Sequence, residues 1–172
     1  MKKIIFLIFL SITFLYGELP EIKTFKADFS QSIINVNNKK IDYKGTIYVK
    51  QPGFILWRYI EPIQKDVFIN YTSVTIIEPE LEQVLVTRLQ KQIDILKLLK
   101  DAKKVSNNKY IANLYNNKYN LTVENGIFKS IEYQDEIENK ITITFENIEQ
   151  NKDIKNSTFR YTIPEDYDII RK

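Results

Sequence analysis

Neither cysteine nor histidine occurs anywhere in this 172-residue chain. Without cysteine there is no disulfide framework, zinc ribbon or thiol nucleophile, and no N-terminal thiol to carry a lipid. Without histidine there is no serine-type triad and no facial-triad iron site. Most of the machinery of soluble enzymes is thereby excluded, and neither a cofactor nor a metal is expected. Long apolar runs are missing too. The longest, Ile4 to Leu15, is softened by Ser11 and Thr13 and falls short of the ~20 residues a helix needs to cross hydrocarbon. Charge of one sign is equally scarce: 25 basic residues face 22 acidic ones with no concentrated Lys/Arg stripe. The attraction that dominates nucleic-acid binding is absent, so no nucleic acid is expected as a partner.

What is present is apolar and aromatic. A chain 44% hydrophobic and 13% aromatic can bury a sizeable core and is too apolar for disorder. Lys2 and Lys3 ahead of the apolar run, and Gly17 before the first acid, Glu18, read as a secretory signal peptide over residues 1–17, cut after Gly17. Its removal leaves 23 basic residues against 22 acidic, a net charge of +1 on a single domain spanning 18–172. A cysteine-free chain is compatible with an oxidising compartment, whether a bacterial periplasm or the medium.

Within that domain the pattern is mainly period two. Phe25, Ala27 and Phe29 alternate with Lys26, Asp28 and Ser30, and Ile41, Tyr43, Gly45, Ile47 and Val49 alternate with polar neighbours. Further strands are predicted at 54–60, 66–70, 74–78, 83–89, 109–114, 119–123, 127–133, 141–148 and 159–163, about eleven antiparallel strands in all. Asn37-Asn38, Asn116-Asn117 and Asn125-Gly126 supply residues that tolerate the positive φ of hairpin turns. One segment differs. From Lys91 to Val105, Ile93, Leu96, Leu99 and Ala102, widened by Ile95 and Leu98, follow a helical period. Such a helix between hairpins covers the apolar face of a one-sided sheet, since neither buries its stripe alone. Lys97, Lys100, Lys103 and Lys104 form its wet side. Two sets of carboxylates, Glu78, Glu80 and Glu82, and Asp135, Glu136 and Glu138, are candidates for a glycosidase's carboxylate pair, and both fall in turn-like, solvated stretches.

Three ordered blocks carry a resemblance: Phe25-Lys26-Ala27-Asp28-Phe29-Ser30-Gln31, then Gly45-Thr46-Ile47-Tyr48-Val49-Lys50-Gln51-Pro52-Gly53, then Trp57-Arg58-Tyr59-Ile60-Glu61-Pro62. With Pro79 to Val84 and the closing Phe159 to Lys172, they resemble the periplasmic outer-membrane lipoprotein carrier family, LolA, over nearly the whole domain. The resemblance implies an incomplete, strongly curved antiparallel β-barrel with a helical lid over an apolar concave face. It implies a periplasmic chaperone, not an enzyme, that takes acylated lipoproteins from an inner-membrane lipoprotein-releasing ABC transporter. Delivery is to an outer-membrane acceptor, either a lipoprotein or the membrane itself, and the carrier is expected to act as a monomer.

By the same resemblance Phe25, Ala27, Phe29, Ile47, Val49, Ile55, Trp57 and Tyr59 line the acyl-chain cavity. Ile93, Leu96 and Leu99 belong to the lid, and Gln51 holds the position where the family commonly has a latching arginine. Trp57, Ile47 and Val49 also fit ordinary sheet core. The chain departs from the family in its short segment Glu18 to Lys23, where a long helix is usual and Pro20 suits only a first turn, and in Asn70-Tyr71 and Thr75, which replace an Asp-Gly turn and a Trp. The alternatives are an exported binder of other lipids or glycolipids and, from a different class, an exported hydrolase. Without a cysteine anchor the chain is not itself a lipoprotein-type acceptor.

Overall fold

The computed structural model describes Leu19, residues 21–88 and residues 95–172. The expected signal segment, Pro20, and the beginning of the predicted helix with Ile93 lie outside the described residues. Among the described residues no helix is long and apolar enough to cross a membrane.

Among the described residues twelve strands form one open sheet. They are β1 (Thr24–Ile34), β2 (Lys40–Lys50), β3 (Phe54–Glu61), β4 (Lys65–Asn70), β5 (Ser73–Glu78), β6 (Gln83–Arg88), β7 (Lys103–Ser106), β8 (Lys109–Leu114), β9 (Asn117–Glu124), β10 (Ile127–Gln134), β11 (Lys140–Gln150) and β12 (Asp168–Arg171). An α-helix, α1 (Ile95–Asp101), precedes β7. The order across the sheet is β12-β6-β5-β4-β3-β2-β1-β11-β10-β9-β8-β7. Neighbours are antiparallel except β12, which lies parallel to β6. The first strand therefore occupies the middle of the sheet, with hairpins fanning out on one side and a second, later set on the other.

Ten predicted strands are found close to their expected bounds, and three expectations need correction. The predicted strand at 159–163 is a 3₁₀ turn, Asn156–Phe159, followed by an irregular segment. The predicted helix to Val105 stops at Asp101, and Lys103–Ser106 instead forms the edge strand β7. The turn expected at Asn116-Asn117 sits one residue earlier, with Tyr115 and Asn116 at φ 52° and 68°. The other two Asn turns behave as expected, with positive φ at Asn38, Asn125 and Gly126.

The sheet is strongly curled, for a geometric reason. Helix α1 packs on β8 and also forms one wall of a cleft whose opposite wall is the β2–β3 turn. In the sheet order β8 and β2 are five strand steps apart, which is ~24 Å at the usual spacing. A seven-residue helix is only ~10 Å long, so the two wings must bend toward each other to meet it. Register shifts put extra residues on β11, β3, β7 and β10 and mark β-bulges, the irregularities that increase bend and twist.

The two faces of β3 to β5 are both covered. The concave face carries the main core, described below. On the convex face Leu56, Phe68 and Thr75 sit opposite one another across the ladder and are buried. The C-terminal segment crosses them: Phe159 packs on Phe54 at 5.7 Å, Tyr161 on Phe68 at 4.9 Å, and the Tyr161 hydroxyl lies 2.7 Å from Thr75 Oγ1. This strap then delivers β12 to the free side of β6.

Candidate functional site

Inward-facing side chains fall in rows because the register aligns them across the strands. In the lowest row Phe25, Val49, Ile55, Ile69 and Val74 oppose one another from β1 through β5. Above it run Ala27, Ile47, Trp57, Val67 and Ile76, and above that Phe29, Gly45, Tyr59 and Lys65. All eight residues expected to line a cavity occupy these three rows. Phe25, Ala27, Phe29, Ile47, Val49 and Ile55 are buried, whereas Trp57 and Tyr59 are half-buried and pack against the same core.

The far wing completes the concavity, and the sequence reading assigned none of its residues to the site. Phe145 closes on Phe25 edge to face at 5.2 Å, with Phe128 5.8 Å from Phe25 and 5.1 Å from Phe145. Ile143, Ile131, Leu121 and Tyr110 form a continuous opposed row from β11 to β8. Their period-two alternation was the available signal; the quoted motif blocks simply stop before them.

Helix α1 turns Ile95, Leu96, Leu98 and Leu99 inward, all buried, which places Leu96 and Leu99, expected in a lid, on its apolar side. Its outward side carries Lys97, whose Nζ donates to Asp101 at 2.7 Å. Between α1 and the β2–β3 turn lies a cleft of about 360 Å³, walled by Val49, Ile55 and Leu96 and rimmed by Gln51, Lys97, Lys100 and Asp101. Gln51 does not reach the helix. Its Nε2 donates to the Ile22 carbonyl at 3.4 Å, and its backbone N–H donates to the Lys23 carbonyl at 2.9 Å. The latch position therefore ties down the segment ahead of β1, in which residues 21–23 are not helical and Ile22 is buried.

Toward the opposite end the concave lining becomes polar. The Tyr59 hydroxyl donates to Gln31 Oε1 at 3.2 Å, and Tyr43 meets Tyr59 edge to face at 5.7 Å. Lys65 Nζ stands over the Tyr59 ring at 4.6 Å and the Tyr43 ring at 5.6 Å. On the far wing Tyr133 and Tyr119 pack at 5.0 Å. Burial, and then the neighbouring Tyr43, push the Tyr59 hydroxyl up to about 12. Burial also pushes Tyr133 well above the ordinary phenol range, with Tyr119 and Tyr59 adding to it. These phenols remain neutral donors at any physiological pH.

The two carboxylate groups are engaged in turns. Glu78 accepts from Gln83 Nε2 at 2.6 Å beside the Pro79–Leu81 3₁₀ turn. Asp135 accepts from the backbone N–H of Ile137 and Asn139 at 3.0 and 2.8 Å. Among the described residues no group of three or more acidic side chains is placed to hold a metal ion.

Residues 20–162 match the family model described as outer membrane lipoprotein carrier protein LolA. An outer-membrane lipoprotein carrier protein of Wolinella succinogenes is 34% identical over 152 residues, covering 88% of each chain. One from Campylobacter jejuni is 31% identical over 171 residues, 99% of this chain and 100% of that one. Among solved structures, an uncharacterized conserved protein from Thermus thermophilus superposes with a TM-score of 0.56 at 10% identity, covering 87% of this chain and 91% of that one. A DUF1329 family protein from Desulfovibrio piger gives 0.52 at 10% identity, over 83% and 92%. Those two likenesses concern the fold alone.

Proposed function

Because the chain belongs to the outer membrane lipoprotein carrier protein family, LolA, we propose that it is a periplasmic chaperone for lipoproteins. It binds the acyl chains of lipoproteins released from the inner membrane and carries them to the outer membrane. The observation that carries the reading is the continuous apolar lining of the concave face beneath the cover α1. Burial of a CH₂ is worth about 0.8 kcal/mol, so an acyl chain of some fifteen methylenes favours shelter over water by roughly 12 kcal/mol. No such chain crosses an aqueous gap alone, and a carrier requires apolar area rather than directional chemistry.

In this structure the lining is closed over, with Phe25 and Ile47 fully buried. Chains therefore enter as α1 and the segment tied by Gln51 move away, and the half-buried Trp57 and Tyr59 are met along the way. Phe25, Ala27, Phe29, Ile47, Val49, Ile55, Trp57 and Tyr59 bind the chains, and Leu96 and Leu99 cover them. Cargo is received from a lipoprotein-releasing ABC transporter and surrendered to an outer-membrane acceptor by a monomeric carrier. The exported form begins at Glu18.

Purification from the periplasm followed by mass spectrometry of the intact protein and its co-purifying molecules tests this directly. Acylated lipoproteins or their lipopeptides are expected with a chain starting at Glu18. Recovery of glycolipid alone, or of no lipid after crosslinking in cells, would overturn the carrier reading.

A further inference from the structure

The concave lining is not uniform along the strands. At the α1 end it is wholly aliphatic and aromatic, with Phe25, Val49 and Ile55 in one row. Four residues further along β3, or ~13 Å, comes Tyr59, joined by Gln31 and Tyr43 on the adjoining strands. Tyr133 stands on β10, four strand steps from Tyr59 in the sheet order, and both pack against the one concave core, so the curl brings the two wings around the same interior.

Hydrogen-bond donors are left over in this band. The Tyr59 hydroxyl makes one long bond, to Gln31 Oε1 at 3.2 Å. Among the described residues the hydroxyls of Tyr133 and Tyr43 and the amide N–H₂ of Gln31 have no partner. These donors are open to solvent, so they are free to exchange water for a ligand acceptor, and a pure tail-binding surface has no use for them. Lys65, stacked over Tyr59 and Tyr43, fixes the two rings so that their hydroxyls are held ready.

We propose that this tyrosine–glutamine band binds the ester and amide carbonyls at the head of an acylated ligand, setting its orientation with chain ends toward α1 and head toward the polar end. The proposal deepens the carrier reading and rests on it. Acyl chains alone are interchangeable between lipids; their carbonyls are the first acceptors a protein meets on leaving the tails. Donors ~13 Å from the floor thus select linked acyl groups over plain hydrocarbon and fix which end of the cargo emerges.

The test uses two synthetic lipopeptides of equal chain length, one with ester-linked and one with ether-linked chains, read by the fluorescence of Trp57, the only tryptophan. The full exported protein is expected to prefer the ester by roughly three- to tenfold, the range of one or two neutral hydrogen bonds. Tyr59→Phe combined with Tyr133→Phe keeps both rings and should erase that preference, bringing the ratio of ester to ether affinity to about one. Each single variant should remove part of it. Equal ester and ether affinity in the unaltered protein, or a preference that survives the double variant, overturns the proposal. Failure of the unaltered protein to bind either lipopeptide overturns the carrier reading and this proposal with it.

Discussion

Gly45 lies on β2 between Phe29 of β1 and Tyr59 of β3. A Cβ there would collide with the Arg58 carbonyl oxygen and stand 2.9 Å from Phe29 Cε1. The carbonyl belongs to the ladder and cannot retreat, so Gly45→Ala should cost about 2–3 kcal/mol, the upper range for overpacking, seen as a lower urea midpoint at constant slope. Tyr59 offers a second residue-scale prediction. Its hydroxyl is raised from 10 to about 12 in the folded protein, so above pH 10 the unfolded chain has lost a proton that the folded one keeps. Stability is full below pH 10 and falls as pH climbs toward 12, by of order 2 kcal/mol after allowance for partial exposure. Chemical denaturation between pH 9 and 11.5 should show that slope, and Tyr59→Phe should reduce it, leaving the part that Tyr133 contributes.

Helix α1, the C-terminal strap and the N-terminal tie are the elements that lie over or along the sheet. The Gln51 contact to the Ile22 carbonyl is a neutral bond at 3.4 Å. A charged donor is worth roughly 1 kcal/mol more, which slows release of this tie about fivefold if the tie must break for entry. Gln51→Arg should accordingly slow lipopeptide uptake in stopped-flow quenching of Trp57 while leaving the melting temperature equal or slightly higher. Unchanged uptake would show that the tie is no part of the gate. On the convex face, Tyr161→Phe leaves Thr75, only 2% exposed, without its 2.7 Å partner and should cost about 1–3 kcal/mol. Adding Thr75→Val should recover most of that, which a double-mutant cycle measures.

How far these elements could be read in advance follows from the same physics. Alternation located the hairpins because each strand has one buried face, and Asn and Gly marked most turns. It failed where apolar period and backbone pairing part company. Phe159 and Tyr161 alternate like a strand, but their rings pack on the convex face without joining a ladder. Ala102 and Val105 extend the helical stripe, yet Asn108 at φ 61° turns the chain so that Lys103 and Lys104 pair with Ile111 and Tyr110. In β12, Asp168 to Arg171 is exposed throughout, so no burial pattern announced it. For the site, motif blocks from the first half of the chain pointed to the near wing; the far wing and the polar band arise from curvature, which a linear pattern does not encode.

Across the whole molecule the sheet has a centre and two free margins. Backbone amides of β1, β2 and β11 are bonded on both sides, whereas β7 and β12 are edge strands and are exposed throughout. Amide hydrogen exchange should run slowest in the first three and fastest in the last two. Placing β1 at the centre has a further consequence for the order in which a newly made chain becomes a protein. A polypeptide made amino end first delivers β1 to β6 as a run of hairpins, each finding its neighbour at once. The other side of β1 waits: Gln31 meets Ile143, 112 residues behind it in the queue. Until that stretch has been made, the central strand is an unprotected margin with an apolar flank, open to any other emerging chain. Premature stops before residue 140 would therefore yield fragments that clump rather than smaller, weaker versions of the whole.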